Sequence, residues 1–548
     1  MNGLTLDEAL LKVGGRGRAQ LLSLLCCGFA VAHTASFLMS LPLALTTPGL
    51  LCETEIDSMR QCSLGEACIA GQKAVFSSLE ERSVVYEWKL ICSQGFYAEV
   101  ICLCALFGLC LGCVLSGQLG DSLGRKKTLG WLMLCSCVCQ FVLYCSASAG
   151  FYAAVVFLEG LAVPAPGMMA AVLITETTDK RARGPFIAGL GLFFLLGTAS
   201  AYLLSFLLLA WRPFLLLSCC LALVSFSLLP FLPESPRFLA FNLSHFQRCR
   251  AVLQTIAKRN HCEMFEDKLL GERANEYDET GTTKLGESKK DSKADPSNEY
   301  IGSANNVEER EKELNRGQKC TYVDLIRLKS IRADWLRTTL LVAVLAVNWA
   351  EVRASEGSVR ERYTDRGLGL SVAISALLVV ALTANFAGRK LLARLAFCFQ
   401  GCLGFACLLF PELGSAVYVR QGSIAACCLA TGVCMQLTLE TPASPLRALF
   451  VGAVLSFGAL VWTASRFAVL YVPTHSPALV LLIANLIGLA STWRMRETAK
   501  KRLRDFIEEM APMAQLPAAQ ADPSSDPKRV APKEPSFDAF NEEVRGLE

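Results

Sequence analysis

Twelve times along this chain the sequence runs apolar for about the 20 residues that a helix needs to cross a bilayer. The runs occupy about 20–45, 96–118, 128–148, 151–174, 186–209, 212–232, 336–352, 368–387, 391–410, 416–439, 448–470 and 476–493. Lipid offers no hydrogen bonds to a backbone, so such runs fold as helices that satisfy their own polar groups. The seventh run is the weakest, with a short apolar core between Leu340 and Ala350. Composition agrees: 53% of 548 residues are hydrophobic, more than a soluble protein of this size can hide. The predicted fold class is an all-α membrane protein with two six-helix bundles.

Charge sets the direction of the bundle. Lys and Arg concentrate in loops facing the cytoplasm. With the N-terminus inside, those loops carry Arg125, Lys126 and Lys127; Lys180, Arg181 and Arg183; and Arg389 and Lys390. The loop after the seventh run breaks the pattern, with Arg353, Arg360, Arg362 and Arg366 among acids. Both termini are still expected inside. Basic residues form short clusters rather than a stripe, which argues against a nucleic-acid partner.

The domain plan follows. Residues 1–19, with leucines at 4, 6, 10 and 11, read as a short amphipathic cytoplasmic lead-in rather than a cleavable signal. Residues 20–232 form the first bundle, with a long outer loop at 46–95. Residues 233–335 form a cytoplasmic linker, whose polar middle at 272–316 has little to bury and is expected to lack packed structure. Residues 336–493 form the second bundle, and 494–548 a cytoplasmic tail, expected to be unpacked after Met510.

Most of the 25 cysteines lie in apolar runs, where cysteine acts as a small hydrophobe. Cys52, Cys62, Cys68 and Cys92 instead share the outer loop, without the close pairs of a zinc site. They are expected to form two disulfides in one of three connectivities. No metal site or cofactor is expected, and no phosphate loop or catalytic constellation is present, so an enzyme or ATP-driven pump is not expected.

The sharpest internal signal is a repeat. Asp121-Ser-Leu-Gly124-Arg125-Lys126 follows the second run, and Asn385-Phe-Ala-Gly388-Arg389-Lys390 follows the eighth. Glu176 and Arg183 bracket the loop after the fourth run, seven apart. Glu440 and Arg447 bracket the loop after the tenth, also seven apart. Both correspondences span the same distance, 385 − 121 and 440 − 176 each giving 264. Six helices separate the copies, so the halves run parallel about an axis along the membrane normal. Arg and Lys at these helix ends can pair with acids on neighbouring ends and lock the inner face. Gly124 and Gly388 permit the tight turns. Asn385 has no charge, so the second copy is expected to grip less firmly than Asp121 does.

At these residues a resemblance emerges. Gly117-Gln-Leu-Gly-Asp-Ser-Leu-Gly-Arg-Lys-Lys127 resembles the loop motif of the major facilitator superfamily. Tyr86-Glu-Trp-Lys-Leu-Ile-Cys92, Pro233-Glu-Ser-Pro-Arg-Phe-Leu239 and Ile256-Ala-Lys-Arg-Asn260 narrow it to the organic cation, anion and zwitterion (carnitine-type) transporter family. The resemblance covers about residues 4–500. It implies a plasma-membrane carrier with its substrate cavity between the halves. The chain departs from the family pattern at Val156, at Asn385 and within Glu440-Thr-Pro-Ala-Ser-Pro-Leu-Arg447.

Charges at membrane depth are costly and usually face a cavity or a partner. Arg466 lies within the eleventh run and Glu159 within the fourth. Anion and carnitine-type family members resemble this chain in carrying an arginine at the first position, and a guanidinium fork matches a carboxylate. Glu159 reads either as a site for an ammonium group or coupling cation, or as the partner that neutralises Arg466. His33, Asn348, Trp349 and Gln436 complete the candidate substrate-binding set. The expected function is transport of a small organic anion or zwitterion by alternating access, with any coupling ion or counter-substrate undefined. The alternatives are an organic cation carrier and a non-transporting receptor or adaptor that keeps the fold.

Overall fold

The computed structural model describes residues 6–45, 83–208, 210–241, 246–262, 320–354, 388–471, 476–501 and 503–504, with short pieces of 50–76 and 373–379. The segment expected as the eighth spanning helix, with Asn385, lies mostly outside the described residues. So do 272–316 and the tail after Met510.

In the first half the spanning helices are α2 (Arg18–Ala44), α5 (Phe96–Leu123), α6 (Arg125–Tyr144), the pair α7 (Ala149–Ala162) and α8 (Pro164–Thr177), α9 (Arg183–Leu208) and α10 (Arg212–Leu228). In the second half they are α14 (Lys329–Ala354), α15 (Arg389–Leu409), α16 (Val417–Glu440), α17 (Arg447–Tyr471) and α18 (Pro477–Trp493). Nine spans among the described residues are long and apolar enough to cross a membrane; α14 and α18 extend the series. The helix α14 begins seven residues before the apolar run that predicted it. Its first turns are charged, and Asp334 there pairs with Arg504 at 3.0 Å and Arg337 at 3.3 Å.

Large apolar side chains such as Phe107, Trp131, Phe141, Leu207 and Leu223 point outward from the bundle. In water they would form an adhesive surface; against lipid they are at home. Inside, helices meet through small residues. A Cβ on Gly112 would lie 2.5 Å from the Gly160 carbonyl oxygen, so the backbones of α5 and α7 approach more closely than any side chain allows. Contact between the halves runs through α5, α8 and α9 on one side and α16 and α17 on the other.

The outer loop carries a three-stranded antiparallel sheet in the order β2 (Met59–Cys62), β1 (Leu50–Glu53), β3 (Ala74–Phe76). Cys52 bonds Cys62 across the β1–β2 pair, and Cys68 bonds Cys92. The loop is tied down by the block that contains Tyr86. Glu87 accepts hydrogen bonds from Arg212 at 2.7 Å and Trp211 Nε1 at 2.9 Å, while Trp88 packs edge-on against Tyr152 and Trp211.

At the face that carries the repeated motifs the lead-in is a helix, α1 (Leu6–Lys12). Its Ala9 and Leu10, with Val13, pack against Leu253, Ile256 and Ala257 of α12 (Phe246–Asn260). The described part of the linker thus holds packed helices, including α11 (Pro236–Phe241) and α13 (Tyr322–Arg327).

Candidate functional site: buried ion pairs between the halves and two polar cores

Each repeated motif builds a sharp turn and then aims an arginine inward. Gly124 adopts φ 103° and Gly388 φ 81°, the left-handed region open to glycine. The helices that follow begin with backbone N–H groups lacking intrahelical partners. A carboxylate caps each one. Glu234 accepts from the N–H groups of Arg125 and Lys126, both at 3.1 Å. Glu497 accepts from those of Arg389 and Lys390, both at 3.0 Å.

With their backbones held this way, Arg125 and Arg389 reach in toward the seam between the halves, both fully buried. Arg125 lies 2.8 Å from Asp121 and 3.1 Å from Glu176, with its guanidinium 4.6 Å from the centre of the Phe238 ring. Arg389 pairs with Glu440 in the same way. Each acid then takes a second arginine from the opposite half. Glu176 pairs with Arg447 at 2.6 Å, and Glu440 with Arg183 at 3.8 Å. The halves therefore exchange arginines. Two further bonds cross the seam: Asp121 accepts from the N–H of Leu449 at 2.8 Å, and Arg125 donates to the Ser444 carbonyl at 2.9 Å. Of the sequence-derived gate residues only Asn385 is outside the described set.

Other residues join this cluster that the repeat does not single out, Glu234 among them. Ser235 donates to Glu176 at 2.5 Å. Asp7 of the lead-in contacts Arg237 at 2.5 Å and Arg183 at 3.5 Å. Glu497 was legible in principle, because Glu497-Thr498 repeats Glu234-Ser235 at nearly the motif offset. Burial pushes the Glu497 carboxyl up, but four backbone N–H groups outweigh it and hold the group below the usual carboxylate range. Glu234 goes the other way: its deeper burial wins and raises it.

The candidate substrate residues divide into two sets. Arg466, Trp349 and Gln436 lie where the halves face each other. Arg466 is half-buried near the outer end of α17, within electrostatic reach of Cys102 on α5. Trp349 donates to Thr431 at 3.0 Å and sits in a cluster with Leu195 of the first half. Gln436 donates across the seam to the Gly184 carbonyl at 3.3 Å.

His33, Glu159 and Asn348 instead turn into the bundle interiors. His33 and Glu159 are 0% exposed. Ser136 and Gln140 donate to Glu159 Oε1 at 2.6 and 2.8 Å, and His33 Nε2 lies 2.9 Å from Ser136 Oγ. Among the described residues Glu159 makes no ion pair with Arg466. Asn348 exchanges hydrogen bonds with Asn485 at 3.1 and 3.0 Å. The physical reason is common to all three: helices apolar on every side leave a buried polar group to find neighbours within its own bundle.

Two parallel repeats, with six spanning helices described in the first and five in the second, meet along a central seam joined at one end by exchanged ion pairs, the arrangement of the major facilitator fold. The comparisons agree. The family model described as "Sugar (and other) transporter" matches residues 72–292. Solute carrier family 22 member 4 of Mus musculus is 29% identical over 199 residues, covering 36% of this chain and 35% of that protein. Organic cation/carnitine transporter 2 of Homo sapiens is 28% identical over 179 residues, 32% of each chain. Sugar transporter ESL1 of Arabidopsis thaliana is 28% identical over 229 residues, 39% of this chain and 43% of that one. The matched part thus spans about a third of the length of the carnitine-type relatives. The proton:xylose symporter XylE superposes with a TM-score of 0.58 at 14% identity, covering 91% of this chain and 99% of that one. The chain has the major facilitator fold, as a multi-pass membrane protein, and part of its sequence is similar to transporters. Its relatives include organic cation/carnitine and sugar transporters, and they are not enzymes.

Proposed function

We propose that this protein carries small organic anions or zwitterions bearing a carboxylate across the plasma membrane by alternating access, with both termini cytoplasmic. The observation that carries the reading is the exchange of Arg447 and Arg183 between the halves. Such pairs hold the inner face shut and are the bonds that part when the halves rock. Arg466 supplies a permanent positive charge beside the seam, suited to a carboxylate. A cation carrier would need a counter-charge there, and Glu159, the acid that suggested one, faces into its own bundle.

Uptake of a pool of small metabolites by vesicles containing the protein, against empty vesicles, tests the proposal. Enrichment of carboxylates supports it. Enrichment of cations alone favours the cation reading, and flux no greater than in empty vesicles favours a receptor or adaptor.

A further inference from the structure

The polar core of the first bundle does not belong to the gate or to the seam. His33 of α2, Ser136 and Gln140 of α6, Glu159 of α7 and Ser218 of α10 meet there, all fully buried. Glu159 Oε1 receives Ser136 and Gln140, while Oε2 has no hydrogen-bond partner among the described residues. The other titratable groups around it are Cys137 and Cys139 of α6, Tyr152 of its own helix and Cys219 of α10. From α5, Gly108 and Gly112 pack against the backbone of Phe157, Gly160 and Leu161, which flank Glu159 on its helix. None of these supplies a positive charge apart from His33, and an ionised carboxylate buried without a counter-charge is costly.

The duplication provides an internal control. The motif offset of 264 carries Ser136 to Gln400 and Glu159 to Ser423. In the second bundle those positions hold the neutral Gln400 and Ser423, and Asn348 and Asn485 bond each other there, all four buried. At the matched positions, only the first half carries an ionisable acid.

We propose that Glu159, Ser136 and His33 form a proton-binding site inside the first bundle, and that its occupancy biases the inner gate. One proton has two resting places. With Glu159 protonated, its O–H donates to Ser136 Oγ, the Ser136 O–H donates to His33 Nε2, and the His33 Nδ1–H donates to the Ser218 carbonyl oxygen at 3.0 Å. Transfer moves the Glu159 proton to Ser136 as the Ser136 proton moves to His33. The products are a carboxylate and an imidazolium, bridged by the same serine. Net charge is unchanged by this step, and departure of the proton to water leaves the core with one negative charge. A metal cation fits less well, because Ser136 and Gln140 present N–H and O–H groups to the carboxylate, and Gln140 Oε1 already accepts from Cys219 at 3.3 Å.

A mechanical link to the gate runs through the fourth span. Its helix is broken just past Glu159, where Pro164 and Pro166 lack N–H groups. Val163 at the break donates to the Glu159 carbonyl at 2.8 Å and accepts from Thr34, the neighbour of His33, at 3.0 Å. Beyond the break, α8 ends at the gate with Glu176. Recharging the core acts on the joint that carries the gate acid.

The proton site stands on this geometry; its coupling to solute movement rests on the transport reading above. Infrared spectra of the full-length protein in nanodiscs separate the two, since they need no solute. At pH 7 wild type is expected to show a deuterium-sensitive carbonyl band of a protonated carboxylic acid that is lost in Glu159→Gln. Ser136→Ala, which leaves the carboxyl in place, should keep the band at a shifted frequency. Identical wild-type and Glu159→Gln spectra overturn the site, and so does a band abolished by sodium chloride but not by an equimolar choline salt. For the gate, hydrogen exchange across 176–183 and 440–447 should change between pH 6 and 8 in wild type relative to Glu159→Gln measured at the same pH. Parallel profiles overturn the coupling. If the band is present and no solute moves, the transport reading fails while the proton site remains.

Discussion

Glu176, at the end of α8 in the first half, lies 2.6 Å from the guanidinium of Arg447, which opens α17 in the second. The carboxylate also holds Arg125 of its own half at 3.1 Å. One acid thus bridges a local arginine and a foreign one, and Glu440 repeats the arrangement with Arg389 and Arg183. The local pairs set the shape of each half. The foreign pairs join the two.

Breaking the foreign pair should loosen the inner face without unfolding either bundle. Removing one partner from a buried ion pair costs about 3–5 kcal/mol, mostly from the charge left behind. Arg447→Ala leaves Glu176 with Arg125, whereas Glu176→Ala takes a shared acid from two buried arginines, of which Arg125 keeps Asp121. Thermal melting in detergent should show Glu176→Ala as the less stable variant. Equal melting temperatures would contradict the bridging role.

Asp121→Asn makes the first motif resemble the second, which carries Asn385. An asparagine still accepts from the Leu449 N–H but loses its ion pair with Arg125. A charge-assisted hydrogen bond is worth about 1.5–3 kcal/mol, so a smaller loss of stability than in Glu176→Ala is expected in the same assay. A loss as large as that of Glu176→Ala would place Asp121 at the centre of the gate instead.

The Glu497 cap makes a pH prediction. Its folded-state carboxyl is held below the ordinary 4.5, so its stabilisation is present above pH 4.5 and fades as pH falls through the lower folded-state value. The melting difference between wild type and Glu497→Gln should therefore be present at pH 7 and shrink in acid. Glu234 is raised by burial, so its charge costs stability at neutral pH relative to the unfolded chain rather than adding to it. Glu234→Gln should cost less than Glu497→Gln at pH 7. A pH-independent difference for Glu497→Gln would contradict the capping account.

The outer-loop disulfides should differ in worth. Cys68–Cys92 closes a separation of 24 residues and Cys52–Cys62 one of 10. Loop-closure entropy makes the longer bridge stronger by about 0.8 kcal/mol. Paired Cys→Ala replacements, compared by melting, test the order; a more damaging loss of Cys52–Cys62 would mean that native contacts of the sheet outweigh chain entropy.

The presence of apolar spans and the repeat were legible because both rest on local signals: apolar length, and charges at fixed spacing. The exchange of arginines was not, since spacing shows that Glu176 and Arg183 recur as Glu440 and Arg447 but not which copy pairs with which. Asp7 was visible only as an acid in a leader. Its role depends on α1 folding back against α12, a tertiary event. His33 and Glu159 were read as cavity residues because helices as uniformly apolar as α2 and α7 have no polar face to show which way a lone polar side chain points.

The most direct test of the account compares uptake of labelled carboxylates and labelled cations by wild type and Arg466→Ala in the same vesicles. Loss of a charge-assisted contact should lower carboxylate uptake about 10- to 100-fold and leave cation uptake unchanged. Carboxylate uptake that survives in Arg466→Ala would contradict it.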